Sequence, residues 1–161
     1  MIKLSFKETD FLPHSKKVDV YGNKVTVVTL EGRIKSKLPR IPNTEIVLYL
    51  ASHPFVDQEH IFVLDGLHIT ACGKAKRADG DIDNPVLAER IAESRAKIKL
   101  YRFMTNLILR ICKEIFKEMR GEDDIINFAY WKRDSLYGDY MKHKTLLHNE
   151  EDHLEKLLEQ A

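Results

Sequence analysis

From Pro85 to Arg120 the chain runs for 36 residues without a glycine and with no proline after Pro85. Such a stretch holds none of the usual helix breakers, so it is read as one long α-helix. Wound at about 100° per residue, Arg95, Lys99, Arg102, Arg110, Lys113, Lys117 and Arg120 fall within an arc of about 80°, interrupted only by Asn106. Glu89, Glu93, Glu114 and Glu118 gather on the edge beside that arc, while apolar residues from Leu87 to Met119 cover most of the remaining girth. A rod apolar over more than half its circumference has to be wrapped by other elements or subunits, which leaves the basic stripe as its main wet face.

The helix boundaries are marked locally. Asn84 is placed to cap the N-terminus, Pro85 fits the first helical position, and Gly121 suits the residue just past the C-terminus. Upstream, the chain reads as β structure. Residues 17–20 and 24–35 flank the turn Tyr21-Gly22-Asn23, residues 45–51 read as a third strand, and residues 60–64 and 67–76 form a hairpin about Asp65-Gly66. In the last arm Leu67, Ile69, Ala71, Gly73 and Ala75 share one face, opposite His68, Thr70, Cys72, Lys74 and Lys76. Downstream, residues 145–160 form an amphipathic helix with a narrow seam of Leu147, Leu154, Leu157 and Leu158, the candidate surface for self-association.

The expected fold is therefore α+β, an antiparallel sheet of about five strands packed on one long helix, with an additional C-terminal amphipathic helix. Residues 1–121 make the α+β body, its sheet in 1–77 and its helix in 85–120. Residues 122–161, an aromatic segment and an acidic helix, belong to the same domain or form an oligomerisation arm.

At 161 residues the chain is long enough to bury a core without disulfide staples. No apolar run reaches the roughly 18 residues of a membrane span, the N-terminus lacks a signal-peptide core, and Cys72 and Cys112 are read as reduced, buried thiols. A cytoplasmic protein is expected, or one of the host cytoplasm or virion if phage-encoded, with no membrane partner. The net charge of +1 hides a polarity, because residues 1–121 carry 21 Lys+Arg against 15 Asp+Glu, and residues 122–161 carry 5 against 10. The acidic tail can cover the basic stripe in cis, cover a neighbour's stripe, or stand free.

Motifs for catalysis are not found. Gly73-Lys74 lacks the rest of a phosphate loop, and Asp79-x-Asp81-x-Asp83 leads to Arg90 where a calcium loop needs a bidentate acid. His148, Asp152 and His153 read as a solvated helix surface, and the cysteines lack zinc-site spacing. No acid-x-Lys pair follows Asp65, as a metal-dependent nuclease would require. The expectation is a non-enzymatic chain with no metal and no cofactor.

The strand ending Ala71-Cys72-Gly73-Lys74-Ala75-Lys76-Arg77, an acidic turn, and then Leu87-Ala88-Glu89-Arg90-Ile91-Ala92-Glu93-Ser94-Arg95-Ala96 form a Gly-x-Ala … Asp … Ile-Ala-x-x-Arg-Ala arrangement. It resembles small bacterial and phage proteins of unknown function whose fold is like that of double-stranded-RNA-binding domains. The resemblance covers about residues 65–100 and implies a curled antiparallel sheet packed on the following helix. That helix opens here with Asn84-Pro85-Val86-Leu87, where RNA-binding members carry a lysine cluster, so the resemblance supplies no binding residues.

The stripe, extended by Lys74 and Lys76, has the chemistry to bind phosphates or an acidic protein surface. The reading from sequence is a macromolecule-binding protein, foremost a nucleic-acid-associated accessory factor and homo-oligomer. The alternatives are a structural or assembly subunit, such as a virion component, and a small inhibitor or adaptor of another protein, such as an anti-defence factor.

Overall fold

The computed structural model describes residues 10–22, 24–36, 49–53, 56, 65–78, 84–118 and 136–160. Its elements are strands β1 (Asp10–Tyr21), β2 (Val25–Lys35) and β3 (His68–Lys76), then helices α1 (Pro85–Glu118) and α2 (Leu136–Glu159). The strands pair antiparallel in the order β1-β2-β3. The architecture is α+β, with α1 lying between the sheet and α2.

Alternation sets the two faces of the sheet. Thr26, Val28, Leu30, Gly32 and Ile34 are buried toward α1, as are Ile69, Ala71, Gly73 and Ala75 of β3. Gly22 links β1 to β2 at a φ of 59°, and Gly66 precedes β3 at 82°, both in the left-handed region that glycine tolerates. Asp65 fixes the second turn by accepting a hydrogen bond from the Ser36 amide at 2.9 Å.

Helix α1 begins where its sequence marks it, with Asn84 Oδ1 accepting from the Leu87 amide at 3.1 Å. Its burial then runs almost all the way round. Ile34, Ile69, Phe103, Met104, Leu107, Ile108 and Ile111 form the larger core cluster, which Tyr140 of α2 joins. Val28, Leu30, Ile91, Ala92 and Ala96 form a second cluster, closed by Leu154 and Leu157 of α2. Tyr140 meets the C-terminal half of α1 and Leu157 the N-terminal half, so the two helices run antiparallel. Each large side chain so enclosed contributes about 1.5–3 kcal/mol of burial.

The closest approach lies at Gly73. A Cβ there would collide with the Ala92 carbonyl oxygen and the Ala96 amide, so strand and helix backbones touch where both present their smallest residues.

The described strands number three, extended by a single bridge between Val56 and Ile69, and the count of about five includes residues outside the described ones. Three expectations are revised. Residues 49–51, expected in a strand, form a helical turn in which the Ser52 and His53 amides donate to the Tyr49 and Leu50 carbonyls. A strand would point Tyr49 and Leu50 to opposite faces, whereas both reach the cluster around Phe103. The C-terminal helix starts at Leu136 rather than 145, held at its start by His143, whose Nδ1 donates to the Asp139 carbonyl at 2.8 Å, and by the packed Tyr140. Cys72 is half-buried on the outer face of the sheet, with its Sγ 3.4 Å from Thr29 Oγ1, rather than buried. The expected strand at 60–64, the helix end at Gly121 and the Cys112 side chain lie outside the described residues.

Replacing Gly73 by alanine is expected to destabilise the fold by about 1–3 kcal/mol through overpacking. Urea denaturation checks this, and a midpoint equal to the parent's would show that the two backbones are not in contact.

Candidate functional site

The stripe residues of α1 emerge where the helix is left uncovered. Lys99, Arg102, Asn106, Arg110 and Lys113 are exposed, and Arg95 is half-buried. The Lys117 side chain and Arg120 lie outside the described residues.

What the cations touch differs along the helix. Hydrogen bonds at the ends of the β2–β3 ladder, Arg77 amide to Lys24 carbonyl and Ile34 amide to Leu67 carbonyl, turn the odd-numbered residues of β3 toward β2. The backbone groups of Cys72 and Lys74 therefore face the outer edge of the strand. Arg95 Nη1 donates to the Lys74 carbonyl at 2.6 Å, and Lys99 Nζ donates to the Cys72 carbonyl at 2.9 Å. Both side chains lay their apolar stems across the helix–strand seam and leave their charge in water. Lys74 and Lys76 stand exposed on the same strand, their side chains on its face away from α1, so cations of β3 and of α1 flank one strand edge.

Farther along, Arg102 Nη2 meets Glu151 Oε1 of α2 at 3.4 Å, so the acidic helix touches the stripe in cis at this point. Arg110 lies over the Tyr49 ring, 4.2 Å from its centroid. That ring stacks on Phe103, and the His53 ring meets both edge-on. Burial pushes the Tyr49 hydroxyl above its ordinary range, with the Arg110 charge acting against it. None of Lys74, Lys76, Arg95, Lys99 and Lys113 forms an ion pair with another described residue.

On the opposite flank of α1 the charges cancel. Lys16 of β1 reaches Glu89 at 2.9 Å and Glu93 at 2.8 Å, and Lys97 reaches Glu93 at 3.4 Å. This network borders a groove of about 530 Å³ between β1, α1 and α2, where Tyr101, Leu100 and Leu146 supply apolar walls. The hydrogen bonds to Glu93 and then Glu89 raise the Lys16 pKa. Burial pushes Glu93 upward, but the Lys16 hydrogen bond and the charges of Lys97 and Lys16 outweigh it and hold the carboxyl below its ordinary range.

The proposed self-association seam is largely used within the chain. Leu157 is buried and Leu154 packs against the second cluster, Leu147 is half-buried, and Leu158 faces solvent. His148 pairs with Glu151 at 3.6 Å, and Asp152 and His153 are exposed, as a solvated helix surface would have them. Sequence reasoning missed Tyr49 as the partner of Arg110, since nothing local to either residue signals the contact. It also missed His14, Glu31 and His68, which three separate strands bring together. Among the described residues no helix is long and apolar enough to cross a membrane.

Compared with known proteins, the chain matches no family model, no curated protein and no solved structure.

The Glu93 contribution to stability is present above the ordinary carboxylate pKa of about 4.3 and is lost as pH falls through its lower folded value. The Lys16 contribution is present below about 10.4 and is lost only as pH rises through its higher folded value. Both therefore act across the neutral range, at the magnitude of partly exposed pairs. Lys16→Met is expected to cost about 0.5–1 kcal/mol at pH 7 and less at pH 3. Urea denaturation at the two pH values measures this, and an equal cost at both would assign the effect to packing rather than charge.

Proposed function

We propose that the protein is a non-catalytic nucleic-acid-binding factor that engages phosphates along the ridge formed by Lys74, Lys76, Arg95, Lys99 and Lys113. The observation that carries this reading is the pair of contacts from Arg95 and Lys99 to the β3 edge. They hold two helix cations at the edge of the strand that carries two more and leave all four charges without a described carboxylate partner. A solvated surface serves solubility equally well with mixed signs, whereas a one-sign ridge across two elements suits a polyanion, whose condensed counterions are released on binding.

The test uses fluorescence anisotropy with labelled single-stranded and double-stranded oligonucleotides at two salt concentrations. Affinity is expected to fall steeply with salt. Lys74→Glu with Lys76→Glu is expected to weaken binding to every sequence and to lower the log–log salt slope by about 2, about one unit per lost phosphate contact. These two side chains are exposed and make no described contact that holds the fold, so the variant reports on binding. Absence of binding at low salt, or full binding by the double variant, would overturn the proposal.

A second reading, an assembly subunit, is favoured by the exposed apolar residues of β1, where Leu12 is 51% exposed, Val20 57% and Tyr21 60%. Light scattering on the purified chain separates the two readings, since assembly predicts a defined oligomer without nucleic acid.

A further inference from the structure

On the face of the sheet turned away from α1, three side chains meet that the proposed ridge does not use. His14 comes from β1, Glu31 from β2 and His68 from β3, and each offers a donor atom within 4.8 Å of the other two. His68 Nε2 lies 3.9 Å from Glu31 Oε2, and the two imidazole rings are 5.7 Å apart at their centroids. We propose that His14, Glu31 and His68 form a binding site for a divalent transition-metal ion of the zinc class, with one ligand from each strand.

An irregularity of the fold creates the grouping. Pro13 pairs with Gly32 and Ser15 with Glu31, so His14 is an extra residue in β1, at a bulge. Strict alternation from Leu12 puts His14 on the outer face, and alternation back from Tyr21 puts Ser15 there too. The bulge thus seats consecutive residues on one side. Ser15 Oγ donates to Glu31 Oε2 at 3.2 Å, which orients the carboxylate, while His14 takes its place beside His68. Arg33, the register partner of His68, turns its guanidinium to the Gly66 carbonyl at 3.4 Å rather than toward the cluster.

The donor set selects the metal. Two imidazoles and one carboxylate are a known zinc set that leaves a fourth position for water, whereas calcium and magnesium take oxygen donors. With metal–ligand bonds of about 2.0–2.1 Å, tetrahedral donors stand about 3.3 Å apart. The present separations, 3.9 Å for His68–Glu31 and up to 4.8 Å for the others, therefore close by up to about 1.5 Å, within reach of side-chain rotation. The hydrogen bond from Ser15 is the kind of support that fixes a metal-bound carboxylate.

The test is isothermal titration calorimetry of Zn²⁺ into the chelator-treated full-length chain, with Co²⁺ absorption spectra read in parallel. One ion per chain is expected, with the visible bands of a four-coordinate site for Co²⁺ and no response to Mg²⁺ or Ca²⁺. His14→Ala, His68→Ala and Glu31→Gln are each expected to abolish the Co²⁺ bands and to weaken Zn²⁺ by more than the 10–100-fold typical of losing a supporting contact. Ser15→Ala is expected to fall within that range. Far-UV circular dichroism confirms that each variant is folded, and Glu31→Gln preserves side-chain shape if the histidine variants are not. A His148→Ala, His153→Ala double variant is expected to bind as the parent does. Absence of Zn²⁺ binding by the parent, retention of binding by folded Glu31→Gln, or loss of it in the α2 double variant would each overturn the assignment.

Discussion

Gly73 brings the backbone of β3 into contact with the backbone of α1 at Ala92 and Ala96, and the positions of the other groups follow from that distance. The contacts of Arg95 and Lys99 with the carbonyls of Lys74 and Cys72 cross that short gap. The same approach lets Ile91, Leu107 and Ile111 reach the sheet while α2 covers the other side of the rod. Small residues at the crossing and large ones on either side are the usual solution when helix and strand must touch without leaving voids.

The cations at this seam carry two loads. Unpaired carbonyls along an edge strand invite pairing with another chain, and long basic side chains laid over them discourage it. Arg95 and Lys99 satisfy those carbonyls without surrendering their charge, because a neutral acceptor does not neutralise a cation. Arg102 differs, since Glu151 opposes its charge, and Arg110 is drawn over Tyr49. The ridge is therefore most positive near β3 and is moderated where α2 crosses it. On the far flank, Lys16, Glu89, Glu93 and Lys97 cancel locally, which concentrates the net positive field on the β3 side.

Much of this was legible in the chain. The Asn84-Pro85 start, the alternation of β3, the two glycine turns and the angular clustering of Arg95, Lys99, Arg102, Arg110 and Lys113 all follow from local rules. The local rules failed where a contact distant in sequence outweighed them. Residues 49–51 close an apolar run from Ile46 that suggests a strand, yet the demand to bury Leu50 while stacking Tyr49 on Phe103 is met by a helical turn. The early start of α2 likewise brings Tyr140 against α1.

Sequence by itself determined the periods of the elements and which face of each is apolar, because 3.6-residue and two-residue repeats are set by backbone geometry over a few neighbouring residues. Only the tertiary structure decided what each polar face meets. It gave Arg95 and Lys99 to a strand edge and Arg110 to a tyrosine, and a one-residue bulge carried His14 to Glu31 and His68. Such pairings depend on strand register and on helix–sheet distance, and these are fixed by how the whole core packs rather than by the residues on either side in the chain.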